Sequence, residues 1–124
     1  MRDRTGSAEQ LQLGSSHQDQ VYDDGYLRVE HNCYYAAFKG SALLLSRAEF
    51  LILSGLVRRI GRVVPSEALW IYVWGDEKRF NAEALRVYVC NLRKKIMPFG
   101  ITVKSMVSVG YSLSRAYTKT ESVA

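Results

Sequence analysis

The spacing of the apolar positions along the chain changes near Ser46. Before that residue, apolar and polar side chains alternate over 26–31, and short apolar runs follow at 34–39 and 42–45. Alternation is typical of half-buried strands, so these segments predict a small antiparallel meander. From Ser46 onward, apolar residues recur every three or four positions, which is typical of amphipathic helices.

A first helix is predicted to begin at Ser46. This residue and Glu49 have the spacing of a capping box, in which each side chain bonds to the backbone N–H of the other residue. The apolar stripe that follows leads us to expect a helix to about Ile60, with Gly61 ending it.

A second helix is predicted between Pro65 and Gly75. Either Pro65 is its first helical residue or Ser66 is its cap, and the sequence leaves both alternatives open.

A third helix is predicted from Asn81, as its cap, to Ile96. Its apolar residues at spacings of four, three and four share one face, namely Leu85, Val89, Leu92 and Ile96. Pro98 and Gly100 end this helix, and two short strands are predicted at 101–106 and 110–113. The order is therefore strands, three helices and a hairpin.

Charge is distributed unevenly along the 124 residues, whose net charge is +5. From residue 81 to the end, seven Lys and Arg residues and two acidic residues give a net charge of +5. Residues 1–25 contain two Arg residues and five acidic residues, which give −3. A basic C-terminal half favours an anionic partner such as nucleic acid. The polar segment 1–25 is predicted to be a disordered tail or linker, 26–113 the folded domain, and 114–124 a flexible tail.

Several other classes of protein are disfavoured. The chain has no secretory signal and no apolar run long enough to span a bilayer, so we expect a soluble cytoplasmic protein with reduced thiols and no membrane partner. Cys33, Cys90 and the two histidines have no metal-ligand spacing, and no phosphate loop or nucleophile motif is present. We therefore expect no metal, no cofactor and no enzymatic activity, and we interpret Cys90 as a free structural thiol rather than a redox sensor.

Four segments, in order, resemble one known family. LLLSRAEFLIL at 43–53 resembles its L-T-x-x-E-F-x-L-L pattern, and RVVPSEALWIYVWG at 62–75 resembles R-V-x-S-R-x-x-L-x-x-x-V-W-G. VYVCNLRKKI at 87–96 resembles V-x-I-x-x-L-R-x-K-L, and SMVSVGYSL at 105–113 resembles T-V-R-G-x-G-Y-x-L. The chain thus resembles the OmpR/PhoB-type effector domains of bacterial response regulators.

This resemblance implies an α+β fold of the winged helix-turn-helix type, with a four-stranded N-terminal antiparallel sheet, a three-helix core and a C-terminal β-hairpin wing. It implies a sequence-specific regulator of bacterial transcription that binds double-stranded DNA, with the third helix in the major groove and the wing near the minor groove. The loop after the second helix contacts RNA polymerase in some members, which here implies Asp76, Glu77, Lys78 and Arg79. Homodimerisation on tandem half-sites is also implied. Trp74 matches the V-W-G of the pattern and is expected in the core, whereas Trp70 has no such match and is expected to be partly exposed, which would make it a candidate contact residue.

The third helix carries side chains suited to this role. With its apolar stripe inward, the residues that point outward are Glu83, Val87, Cys90, Asn91 and Lys94, and Arg86 and Arg93 lie on one shoulder. Lys and Arg neutralise phosphates, whereas Asn bonds to adenine and Val contacts a thymine methyl group, which favours A·T-leaning half-sites. The predicted DNA-binding set is Arg86, Val87, Cys90, Asn91, Arg93, Lys94, Lys104, Val107 and Ser108.

Two other functions are weighed beside DNA recognition. Many relatives carry Arg where this chain has Cys90 and Asn91, and others have Arg-Gly in the wing where it has Val107-Ser108. These differences motivate an alternative, a winged-helix module that contacts RNA polymerase or another regulator and binds DNA weakly or not at all. An architectural binder without sequence preference is a third, weaker hypothesis. Because only about 25 residues precede the predicted domain, the chain is expected to be a stand-alone regulator or a piece of a longer protein.

Overall fold

An antiparallel sheet opens the fold in the computed structural model, which describes residues 20–116. Its strands pair in sequence order and are β1 (Val21–Asp23), β2 (Leu27–Glu30), β3 (Tyr35–Phe38) and β4 (Ser41–Ala42). A 3₁₀ turn, His31–Cys33, joins β2 to β3. The inner face of the sheet buries Leu27, Val29, Ala36 and Phe38.

The start of this sheet corrects the sequence prediction. Residues 21–23 fall within the predicted disordered tail, yet they form β1, which pairs with β2. Asp24 accounts for the turn between the two strands, because its carboxylate accepts hydrogen bonds from the backbone N–H groups of Tyr26 and Leu27, both at 2.9 Å. The strand predicted at 42–45 is also displaced, since β4 ends at Ala42.

The first of three helices, α1 (Arg47–Val57), has the predicted capping box. Ser46 Oγ accepts from the N–H of Glu49 at 3.2 Å, and Glu49 Oε1 accepts from the N–H of Ser46 at 2.9 Å. The helix ends at Val57 and not at Ile60, because the backbone tightens into i to i+3 hydrogen bonds after Leu56. Gly61, predicted to end this helix, lies beyond its C-cap Arg58 and, with φ +85°, turns the chain instead.

The second helix, α2 (Ser66–Trp74), starts in neither of the two ways considered. Pro65 is its N-cap residue, in extended conformation, and also lies in strand β5 (Val64–Pro65). Gly75 ends α2 as predicted. The third helix, α3 (Ala82–Ile96), begins after Asn81, whose side chain accepts from the N–H of Ala84 at 3.0 Å.

A hairpin follows α3 and a 3₁₀ turn at Met97–Phe99. Its strands are β6 (Ile101–Met106) and β7 (Gly110–Arg115), and β5 pairs with the free edge of β7, so the sheet order is β5-β7-β6. The strand β7 continues two residues beyond the predicted end at Leu113. Arg115 is held there by an ion pair with Asp24, at 3.1 Å. The rest of the predicted C-terminal tail, 117–124, lies outside the described residues.

The core lies between the N-terminal sheet, the helices and the base of the hairpin. It contains the four apolar positions predicted for α3, all fully buried. The architecture is the predicted α+β winged helix-turn-helix. No helix within residues 20–116 is long and apolar enough to cross a membrane.

The structure corrects the prediction for Trp70, whereas Trp74 packs against the core as predicted. Trp70 is only 3% exposed, packs against Trp74 and Phe80, and donates from Nε1 to the carbonyl of Lys78 at 2.8 Å. It is therefore a core residue and not a contact candidate. Trp74 is only partly buried and packs against Tyr88. The packing of the loop after α2 over Trp70 explains the difference.

Candidate nucleic-acid interface

The outward side of α3 is an open polar surface. Val87 is 56% exposed, and Cys90, Asn91 and Lys94 are also exposed. The helix is anchored from the opposite side by its four buried apolar residues, which leaves this side accessible. The five outward residues predicted from helical periodicity, these four and Glu83, are therefore all accessible to a ligand.

The cations of α3 differ in how they are held. Arg86 makes an ion pair with Glu83 at 3.3 Å, and both side chains are well exposed, so solvent weakens this pair. Lys94 makes no ion pair with any residue of the range 20–116. Lys95 instead pairs with the buried Glu49 of α1 at 2.7 Å. Lys95 therefore fastens α3 to α1, whereas Lys94 is available to an anion.

The environment of Glu49 shows how firmly α3 is anchored. Burial raises the pKa of this carboxyl group, but hydrogen bonds from the Lys95 ammonium group and from the N–H of Ser46 outweigh burial and lower the pKa below its usual value. Glu49 thus carries a negative charge at neutral pH, and it supports the N-terminus of α1 and the last turn of α3 together.

Arg93, predicted as a phosphate contact, lies against the hairpin. Its Nε donates to the carbonyl of Val103 at 2.8 Å, and its Nη2 donates to Ser105 Oγ at 2.6 Å. The shoulder position predicted for Arg86 and Arg93 is nevertheless correct, because both side chains line one groove.

This groove, of about 630 Å³, separates α3 from the hairpin. Its walls come from one side of α3, the start of α2 and the outer part of the hairpin, and they include Arg86, Arg93, Glu67, Ser105 and Val109. The start of α2 is held against the hairpin, since the N–H of Ser66 donates to the carbonyl of Val109 at 3.0 Å.

The hairpin tip is apolar and exposed. Val107 is 87% exposed, and Met106 and Val109 are about half exposed. Ser108 adopts a left-handed backbone with φ +65°, which explains why a glycine is common at the corresponding position of the family pattern. Val107 and Ser108 line the groove, but Lys104 lies on the face of β6 opposite to Ser105.

The loop between α2 and α3 is exposed but anchored. Asp76, Glu77, Lys78 and Arg79 all point to solvent. The bond from Trp70 to the carbonyl of Lys78 and the edge-on contact of Phe80 with Trp70 hold the loop over the core. The sequence pattern located this loop but gave no reason for its shape.

Sequence reasoning missed several residues of the groove. Glu67 and Ser66 enter it because α2 begins directly at the hairpin, and Ser105 enters it as the partner of Arg93. The predicted start of a helix at Pro65 or Ser66 was the available signal for the first two, whereas Ser105 has no distinguishing pattern. Within 20–116, no three His, Cys, Asp or Glu side chains are grouped as metal ligands, and both cysteines are free and exposed.

The sequence matches the family model described as "Transcriptional regulatory protein, C terminal" over residues 40–113. The response regulator ArlR of Staphylococcus haemolyticus is 25% identical over 96 residues, covering 76% of this chain and 44% of that protein. The sensory transduction protein RegX3 of Mycobacterium leprae is 35% identical over 78 residues, covering 63% and 39%. The chain thus spans less than half the length of these curated relatives.

Solved structures show the same fold. The DNA-binding domain of CpxR from E. coli superposes with a TM-score of 0.67 at 27% identity, covering 78% of this chain and 98% of that domain. The response regulator DrrB, an OmpR/PhoB homologue from Thermotoga maritima, gives 0.64 at 26% identity, covering 77% and 44%. Since the family model matches more than half of the chain, and these structures share its winged helix, the chain belongs to the OmpR/PhoB-type family of transcriptional regulatory protein C-terminal domains.

Proposed function

We propose that this domain binds double-stranded DNA in a sequence-specific manner and regulates bacterial transcription. The observation that carries the proposal is the uncovered outward side of α3 beside the groove to the hairpin. The DNA major groove is about 12 Å wide and admits one α-helix. In this arrangement α3 enters the major groove, and the hairpin acts as a wing that approaches the adjacent minor groove.

The outward residues divide into base readers and phosphate contacts. Asn91 can form two hydrogen bonds with adenine, and Val87 can contact a thymine methyl group, so the preferred half-site is rich in A·T pairs. Cys90 lies between them and contacts the same base edges. Arg86 and Lys94 flank these residues and neutralise phosphates, which contributes affinity that falls with added salt.

In the proposed complex, the wing contributes contact area with DNA more than it contributes positive charge. Val107 and Ser108 form its tip and carry no charge, and Lys104 approaches phosphates from the outer face of β6. The relatives support the proposal at the level of the fold and the class of ligand. The CpxR domain, which is 27% identical to this chain, is described as a DNA-binding domain.

Selection of bound fragments from a random pool of DNA tests this proposal. We expect enrichment of an A·T-leaning sequence, and fluorescence anisotropy on that sequence should show an affinity that falls steeply with salt. Lys94→Glu should weaken binding strongly. Lys39→Glu, the same charge change in the turn after β3, should leave binding unchanged. An unenriched pool together with salt-independent, unselective binding would defeat the proposal.

We also propose that the loop residues Asp76, Glu77, Lys78 and Arg79 contact RNA polymerase. The supporting observation is that four charged side chains are displayed on a backbone held by Trp70. Such a preorganised loop binds a partner at a lower entropic cost. Capture of purified bacterial RNA polymerase by the wild type, but not by Asp76→Lys/Glu77→Lys, would support the contact, and equal capture by both would refute it.

The proposal also concerns how many copies of the protein bind DNA and where in the cell they act. We propose that two copies bind tandem half-sites and that the protein acts in the cytoplasm, where bacterial DNA is accessible. A DNA fragment with two selected half-sites should take up two copies in a native gel, whereas a fragment with one half-site should take up one. Uptake of a single copy by both fragments would contradict the tandem arrangement.

A further inference from the structure

The outer part of the wing is not held by apolar packing. The last buried residue of β6 is Val103, and the first buried residue of β7 is Gly110. All six residues between them, 104–109, are exposed. A segment with few buried contacts opens easily unless polar bonds fix it.

On the β7 side, the wing is fixed through its backbone. Gly110 pairs with Pro65, and the carbonyl of Val109 accepts the N–H of Ser66. A side chain at Gly110 would lie 1.9 Å from the carbonyl oxygen of Val64, so only glycine allows this close approach. The wing is thereby attached to the start of α2.

On the β6 side, the wing is fixed to α3 by Arg93. The guanidinium group bonds to the carbonyl of Val103 and the hydroxyl of Ser105, on either side of Lys104. These two bonds lie where β6 leaves the body of the domain. They use the fork of donors that an arginine presents in a fixed plane, which a lysine ammonium cannot reproduce.

We infer that Arg93 is a positioning residue, which sets the separation of the wing from α3. This inference rests on the proposed function, because the separation fixes how far the minor-groove contacts lie from the major-groove contacts. It also revises the role that the sequence predicted for Arg93. Its geometry, and not only its charge, is needed for binding.

Two variants separate geometry from charge. Arg93→Lys keeps the positive charge but loses the paired N–H donors of the guanidinium group. Ser105→Ala removes the hydroxyl that accepts one of the two hydrogen bonds, without changing any charge. Lys94→Ala is the matched control, since it removes a neighbouring cation that makes no bond to the wing. Each variant is compared with the wild type on the selected DNA, by anisotropy at several salt concentrations and by hydroxyl-radical footprinting, which reports contacts in the minor groove.

Positioning by Arg93 predicts a distinct pattern. Arg93→Lys should lose about tenfold in affinity, the effect of one or two hydrogen bonds to a charged group, with an unchanged salt dependence. Both Arg93→Lys and Ser105→Ala should lose the footprint of the wing. Lys94→Ala should keep that footprint, and its log–log salt slope should become shallower by about one unit.

A wild-type footprint and affinity for Arg93→Lys would overturn the inference, because charge alone would then suffice. If the wild type bound no DNA, the proposed function would fail separately, and amide hydrogen exchange of the free protein would still decide. Arg93→Lys and Ser105→Ala should then speed exchange in residues 104–109 by about fivefold, as expected for the loss of one hydrogen bond. Unchanged exchange in both variants would refute the positioning role.

Discussion

Single buried polar residues connect the layers of this domain. His31, at the end of β2, is 7% exposed, and its Nδ1 shares a hydrogen bond with Ser54 Oγ of α1. That hydroxyl also bonds to the hydroxyl of Tyr72 in α2 at 2.7 Å. Burial, and then the positive charge of Arg58, lower the pKa of His31 from 6.5 to about 4. The imidazole therefore stays neutral in the fold at physiological pH.

This histidine makes stability depend on pH. Between pH 6.5 and pH 4, the unfolded chain binds a proton at His31 that the fold excludes, so the free energy of unfolding falls as the pH falls. The loss between pH 7 and pH 5 should be roughly 2 kcal/mol. Urea unfolding at the two pH values measures it. His31→Gln should remove most of this difference, and an equal difference in the variant would assign it to other groups.

Ser108 gives a second prediction at this scale. A left-handed backbone costs a non-glycine residue free energy, so Ser108→Gly should raise the free energy of unfolding by about 0.5–1 kcal/mol. Ser112→Gly, in the extended strand β7, should lower it. Chemical denaturation of both variants tests this contrast, and a loss of stability in Ser108→Gly would contradict the strained backbone at the wing tip.

At the scale of elements, the inner side of α3 packs in the core and its outer side is exposed. The inner stripe and the cap at Asn81 were predictable, because helical periodicity and capping chemistry are local properties of a sequence. The bond from Arg93 to the wing was not, since it depends on how a hairpin ten or more residues away packs beside the helix. The sequence could assign the charge of Arg93 but not its partners.

The outer side of α3 predicts two kinds of defect. Asn91→Ala should weaken binding mainly at one A·T pair, by about 1–3 kcal/mol, and should relax discrimination there. Lys94→Ala should weaken binding to all sequences similarly and reduce the salt dependence. Affinities for a set of single-base variants of the selected site distinguish these outcomes. A uniform loss for Asn91→Ala would show that it contacts the backbone and not a base.

Over the whole molecule, ion pairs join elements that are distant in sequence. Lys95 of α3 bonds to Glu49 of α1, and Arg115 of β7 bonds to Asp24 beside the N-terminal sheet. The second contact lies at the two domain boundaries that the sequence predicted wrongly. Strand β1 and the end of β7 have weak local patterns and are stabilised by pairing with other parts of the fold. Strands of this kind are poorly predicted from one sequence, because their partners decide them.

At the scale of the whole molecule, the α3 and wing surface and the N-terminal sheet have different roles in the proposed complex. In the proposed complex the outward side of α3 and the wing contact DNA, while the N-terminal sheet lies apart from it. Each of these two surfaces has one exposed free cysteine, which is Cys90 on α3 and Cys33 in the turn after β2. The chain therefore contains a reporter on the proposed interface and a matched reporter away from it.

Alkylation of these two cysteines, with and without the selected DNA, tests most directly that α3 is the DNA-contacting surface. Cys33→Ser and Cys90→Ser leave one reporter each. At DNA concentrations about ten times Kd, about 90% of the protein is bound, so alkylation of Cys90 should slow by about tenfold while that of Cys33 is unchanged. Bound DNA that left the reaction of Cys90 unaltered, or that protected Cys33 instead, would contradict the docking of α3 in the major groove.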